Sequence, residues 1–186
     1  NFEIIINLIF ISLNHHWLMQ SILLSKSFFS VVFCLFSMAI SLNAQAYKAE
    51  NEGWLVDLNE AYSQSKKTGK PIMANFTGSD WCGWCKRLTA AVFSKPEFKT
   101  WAAKNVILLE LDFPRGKAIP EKIKNQNADL QRAFNVSGFP TVWVFDLEKD
   151  TKNNTYQIGS LGKIGYVPTV EEFTTGVGQM LEKRTK

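Results

Sequence analysis

A single α/β sandwich is the fold class that the sequence predicts, and three observations predict it. Short apolar runs, PIMANF at 71–76, VILLEL at 106–111 and TVWVF at 141–145, read as buried strands. Helix-start signals and helically spaced apolar residues fill the stretches between them. The chain of 186 residues, 46% hydrophobic and 20% charged, suits one ordinary domain and is too apolar for disorder.

Each element has a local reason. Asp57-Leu58-Asn59-Glu60 has the acid-x-x-Glu form of a helix start, and the helix continues through Ala61 and Tyr62 to Lys67 until Gly69 stops it. The first strand, Pro71–Phe76, follows that breaker. Gly78-Ser79-Asp80 turns the chain into Trp81-Cys82-Gly83-Trp84-Cys85-Lys86-Arg87, and a helical pattern runs on through Leu88 and Val92. Ser94-Lys95-Pro96-Glu97 reads as a second capping box, with Pro tolerated near the first turn and Phe98, Trp101 and Ala102 as the apolar face. Val106–Leu111 is the second strand, and Asp112–Gly116 turns it. Pro120–Phe134 makes a polar-faced helix on Ile123, Leu130 and Phe134, broken by Gly138-Phe139-Pro140. The third strand, Thr141–Phe145, is β-branched and aromatic. Asp146–Asn154 reads as a polar turn and Thr155–Leu161 as a weakly alternating hairpin partner. Thr169-Val170-Glu171-Glu172 caps a last helix that reaches about Leu181. The order is α-β-α-β-α-β-β-α, without internal repeats.

Residues 1–46 differ from all that follows. Lys26 is their one basic residue and Glu3 their one acid, and Phe28–Leu42 is an apolar run. Counted from Met19, the first Met, this is a signal peptide with a small-x-small site at Ala44-Gln45-Ala46 and cleavage after Ala46; residues 1–18 read as an over-extended start. The competing reading is an uncleaved membrane anchor, although the apolar run falls short of the roughly 20 residues that span a bilayer. Cys34 leaves with the leader, as do His15 and His16, so residues 47–186 keep two cysteines and no histidine. The expected location is periplasmic or secreted, where disulfides persist. With 21 Lys+Arg against 17 Asp+Glu the charges are interspersed, so nucleic acid is not an expected partner; a membrane is one only if the leader stays.

The chemistry rests on Cys82-Gly83-Trp84-Cys85, after a strand and at a helix start. A structural zinc site needs four ligands, and residues 47–186 offer no further Cys or His. A c-type haem site needs His directly after the second Cys, where Lys86 stands. A purely structural bridge across two residues restrains the unfolded chain little. A redox pair remains, with no metal and no organic cofactor. At a helix N-terminus the backbone N–H groups and macrodipole favour the Cys82 thiolate. Cys85, three residues on, returns to the same face and can resolve a mixed disulfide. Lys86 and Arg87 add positive potential or are solvated surface charges. Trp81 and Trp84 offer apolar surface to an extended client, or serve packing.

The pattern W-C-G-W-C-K at 81–86 after an apolar strand, with G-F-P-T at 138–141 opening a later one, resembles the thioredoxin superfamily. Within it, FTGSDWCGWC (76–85), LDFP (111–114) and NVSGFPT (135–141) are similar to bacterial periplasmic thioredoxin-like disulfide oxidoreductases of the DsbH type, over residues 54 to 182. The resemblance implies a thioredoxin fold with a central mixed β-sheet flanked by helices. It implies a thiol–disulfide oxidoreductase that reduces protein disulfides through Cys82 and Cys85 and is recharged by a thiol electron donor the sequence does not name. Disulfide isomerisation or oxidation on the same fold is the alternative, and a non-catalytic binding or chaperone module is another. It also implies a cis-proline at Pro140, with Phe139 before it pairing with substrate backbone; the plain alternative is a trans proline that starts an edge strand. Active-site loop and substrate-binding positions are then Trp81, Gly83, Trp84, Phe139 and Pro140.

Two residues depart from the pattern of cytoplasmic thioredoxins. Asn75 stands where those have a buried acid, so proton movement falls to Glu110 on the next strand or to water; otherwise Glu110 is a strand-edge carboxylate. Gly83-Trp84 replaces Gly-Pro between the cysteines, which alters loop stiffness. The glycosylation-like triplets at Asn75, Asn135 and Asn153 are read as coincidence.

Overall fold

The computed structural model describes residues 47–150, 152–153 and 155–184. The leader reading, with Lys26, Cys34 and the site at Ala44–Ala46, lies outside the described residues. Along the described chain run α1 (Leu58–Thr68), β1 (Ile72–Thr77), α2 (Gly83–Leu88), a π-helical turn (Thr89–Phe93), α3 (Pro96–Asn105) and β2 (Ile107–Asp112). After them come α4 (Glu121–Ala133), β3 (Thr141–Asp150), β4 (Thr155–Ile164) and α5 (Val170–Glu182). The four strands form one mixed sheet in the order β2-β1-β3-β4, with β1 parallel to β2 and both other pairings antiparallel. This is the thioredoxin fold.

Strand alternation divides the core. Ile72, Ala74 and Phe76 of β1 and Leu109 and Leu111 of β2 face α1 and α4, packing with Ala61, Leu130 and Phe134. Met73, on the other face, packs with Leu88, Val92, Phe98, Phe173 and Val177 from α2, the π-helical turn, α3 and α5. Asn75 and Thr77 share this second face with Met73, and so do Glu110 and Asp112 through their register with β1. The motif helix therefore lies over the sheet face that carries the buried polar groups.

Several local readings hold. Asp57 caps α1 by accepting from the Asn59 N–H, and Gly69 ends that helix at φ 72°, a left-handed conformation that suits glycine. Thr169 caps α5 through the Glu172 N–H. Other readings need correction. No capping box forms at Ser94: that residue closes the π-helical turn in a helical conformation, its Oγ donating to the Ala90 carbonyl, so the extended N-cap of α3 falls on Lys95, without a side-chain bond. The two helical stretches read between β1 and β2 stand as α2 with its π-helical turn and as α3, so the element order counts two helices there rather than one. The polar stretch after Phe145 is strand as far as Asp150, since β4 supplies a backbone partner to each residue from Phe145 to Asp150 in a hairpin whose outer end is solvated. β4 likewise runs on past Leu161 to Ile164.

An N-terminal strap completes the sheet edge. Leu55 bridges Leu109 in parallel, with its N–H on Leu108 O and its carbonyl accepting from Glu110 N–H. This places residues 47–53 over the outer edge of β2, on the side of the motif helix.

Candidate active site

The motif follows β1 directly, at the carboxyl end of the strand, the end where open α/β sheets bind ligands. Cys82 is the N-cap of α2 and Cys85 lies in its first turn; the two sulfurs form a disulfide, with Cα atoms 5.3 Å apart. The Cys85 N–H points at Cys82 Sγ at 3.2 Å, and the Phe139 carbonyl oxygen lies 3.7 Å from the same sulfur. The Phe139–Pro140 peptide bond is cis. Both cysteines are buried in the oxidised form, at 7% and 4% exposure, whereas Trp84 is 53% and Trp81 38% exposed. Gly83 is exposed at the first position of α2.

The sequence-predicted residues therefore assemble from two distant segments, 81–85 and 139–140. Trp81 meets the Phe139 ring at 6.0 Å and donates its indole N–H to the Phe113 carbonyl. Trp84 leans on Tyr166 at 5.0 Å. A side chain at position 78 would collide with the Trp81 ring, so Gly78 is required by close approach.

Glu110 lies apart from this surface. It does stand on the edge strand β2, yet it is 1% exposed, and its oxygens accept from Glu50 N–H, Asn51 N–H and Asn51 Nδ2 at 2.7, 3.1 and 2.6 Å. Burial pushes its carboxyl up, and those three bonds oppose the shift without cancelling it. Asn75, its register partner, is 2% exposed, and its Oδ1 has no partner among the described residues. A cavity of about 430 Å³ opens beside Cys85; its walls include Thr77, Thr89 and the two strap residues that Glu110 holds, Glu50 and Asn51. A larger cavity, about 590 Å³, lies at the opposite end of the sheet around Val106 and Ile107, away from the cysteines.

Sequence reasoning missed a second buried acid. Asp112 accepts from Ser79 N–H (2.9 Å) and Ser79 Oγ (2.7 Å) and pairs with Lys117 Nζ at 2.9 Å. It thus pins the turn that delivers the motif. Lys117 also pairs with Glu50; burial disfavours its charge, but the bonds to Glu50 and Asp112 prevail and raise its pKa. Tyr47 beside this cluster is pushed up to about 12, by burial first and then by the Asp112 charge. Asp80 accepts from the backbone N–H groups of Gly116 and Arg115, which hold its carboxyl below the usual range. The one sequence signal is the LDFP segment at 111–114, in which an Asp at the end of a strand has the local look of a turn residue.

Residues 53–146 match the family model described as thioredoxin-like. The chain belongs to the thioredoxin-like family. It is 38% identical over 89 residues to the disulfide bond reductase DsbH of Chlamydia pneumoniae, covering 48% of this chain and 54% of that protein. It is 29% identical over 109 residues to the thioredoxin-related protein DsbJ of Chlamydia pneumoniae, covering 59% of this chain and 30% of that one. A solved DsbH oxidoreductase superposes with a TM-score of 0.61 at 30% identity, over 80% of this chain and 99% of its own. The chain thus spans about half the length of the curated DsbH it matches, and its resemblance within the thioredoxin-like family is to the DsbH type.

Among the described residues no helix is long and apolar enough to cross a membrane, and no cluster of three His, Cys, Asp or Glu side chains is placed to hold a metal.

Proposed function

We propose that the protein is a thiol–disulfide oxidoreductase of the cell envelope that reduces protein disulfides. The observation that carries this is the Cys85 N–H aimed at Cys82 Sγ, at the N-cap of the motif helix. That donor and the helix dipole stabilise an anion on Cys82 and make it the attacking thiol. In the dithiol form the Cys82 thiolate attacks a client disulfide. One S–S bond breaks, a mixed disulfide forms, and a client thiolate leaves. Cys85, deprotonated, then attacks Cys82 Sγ; the second client thiolate departs and the Cys82–Cys85 disulfide remains. Two electrons have passed to the client, and an external dithiol returns them. Phe139 and Pro140 line the approach to Cys82, with Trp81 and Trp84 as its apolar walls.

Glu110 supports the site in one of two ways. It anchors residues 50 and 51 beside Cys85, and as a proton acceptor it acts across the adjoining cavity through water. Glu110→Gln separates these, because a relay shifts the pH profile of client release whereas an anchor alone lowers the rate at every pH.

Reduction is preferred over isomerisation because the Chlamydia DsbH relative is named a disulfide bond reductase. Insulin precipitation with dithiothreitol is the test. Wild type shortens the lag, Cys82→Ser removes the effect, and Cys85→Ser accumulates the mixed disulfide. No acceleration by wild type would leave a binding module. Equilibration of Cys82/Cys85 against glutathione gives the direction: a potential near the roughly −270 mV of thioredoxin supports reduction, and one near −120 mV, that of a strong oxidant, reverses it. Export with cleavage after Ala46 belongs to the same reading, and N-terminal sequencing of the exported protein should begin at Tyr47.

A further inference from the structure

The surface around the disulfide carries a charge pattern that thiol exchange does not require. Arg115 lies with its guanidinium carbon 3.9 Å from the centre of the Trp81 ring, and Arg87 with its own 4.6 Å from that of Trp84. These are the two indoles that flank the cysteines, and they are the large apolar side chains left exposed among the described residues. Neither guanidinium forms an ion pair or donates a side-chain hydrogen bond among the described residues. Lys86 joins them with its ammonium on the Asp80 carbonyl at 2.8 Å. The nearby acids are already engaged. Asp80 accepts the backbone N–H groups of Arg115 and Gly116, and the Asp112 side chain is fully buried against Ser79 and Lys117.

A guanidinium stacked on an indole keeps its planar edge free, and that edge matches a carboxylate in a two-bond fork. The stack holds the long side chain in place, so less freedom is lost when an acid docks. We propose that this site selects clients whose cystine is flanked by aspartate or glutamate, their carboxylates seated on the free edges of Arg87 and Arg115 while the indoles take the apolar neighbours. The inference rests on the oxidoreductase reading and adds a substrate class to it.

The test uses three disulfide-bridged peptides, identical except for Glu, Gln or Lys beside both cysteines, reduced by the full protein with dithiothreitol as electron source. Rates are corrected for direct reduction by dithiothreitol. The expected kcat/KM falls in the order Glu, Gln, Lys, with a Glu-to-Lys ratio of about tenfold at low salt for two partly desolvated charge pairs. That ratio collapses to about twofold near 0.5 M sodium chloride, where the Debye length is only a few ångströms. In the double variant Arg87→Gln/Arg115→Gln the ratio shrinks at low salt as well, and Arg115→Lys restores only part of the contribution at that position, keeping the charge without the fork. The salt series on wild type needs no variant to fold. Turnover of the Gln peptide with equal rates for Glu and Lys overturns this inference and leaves the oxidoreductase intact. Failure to reduce any of the three peptides overturns the oxidoreductase reading and the inference with it.

Discussion

At the scale of single residues, Glu110 shows how burial and hydrogen bonding compete. Removal from water pushes its carboxyl above the ordinary value, and three N–H donors pull the other way with less effect. Between the ordinary and the raised value the folded protein holds a proton that the unfolded chain has released, so stability from this group is fullest at low pH and falls as pH rises through the folded pKa. Urea unfolding of wild type and Glu110→Gln over that window should show the wild-type advantage shrinking with rising pH; a flat or growing difference contradicts the assignment. Gly78 makes the complementary steric case. Its missing side chain is what lets the Trp81 ring lie across the turn. Gly78→Ala should destabilise by about 1–3 kcal/mol, measured by urea midpoint at constant slope, because overpacking displaces the ring.

At the scale of elements, end signals decide more than interiors do. Gly69 ends α1 at φ 72°, and Gly69→Ala should cost about 1 kcal/mol through left-handed strain. Thr169→Ala removes the acceptor for the Glu172 N–H and should cost about 1 kcal/mol, seen as earlier fraying of α5 in amide exchange. These caps were legible in the sequence because a capping oxygen and a left-handed glycine act within a few residues. The Ser94 box fails because the π-helical turn ends on Ser94 in a helical conformation and leaves Lys95 as the extended N-cap, one residue too late for a serine cap. The extension of β3 to Asp150 was missed for a different reason. Polar residues there pair through their backbones with β4, and composition reports exposure to water rather than backbone pairing.

At the scale of the whole molecule, the packing that holds the fold and the exposed surface beside the cysteines lie on one face of the sheet but in different side chains. Phe173 of α5 is fully buried against Phe93 and Phe98, far in sequence from the cysteines. Phe173→Ala should cost about 3–5 kcal/mol in urea unfolding. Trp84→Ala, at an exposed position, should change stability by only about 0.5 kcal/mol yet slow reduction of a protein client more than that of a small disulfide. Equal slowing of both substrates would remove Trp84 from client contact. The larger cavity near Val106 and Ile107 sits at the amino end of the parallel strands, so cavity size alone points away from the thiol chemistry.

The α/β class, the three core strands, the caps at Asp57, Gly69 and Thr169 and the pairing of Cys82 with Cys85 follow from residues within a few positions of one another, where apolar periodicity, capping and the Cys-x-x-Cys spacing act. The approach of Phe139 to Cys82, the seating of Glu110 under residues 50 and 51, the hold of Asp112 on Ser79 and the two arginine–tryptophan stacks each join segments that the sheet brings together. Such contacts depend on strand order and register, and an acid in a strand carries no local mark of whether its carboxylate meets water, a lysine or a folded-back backbone.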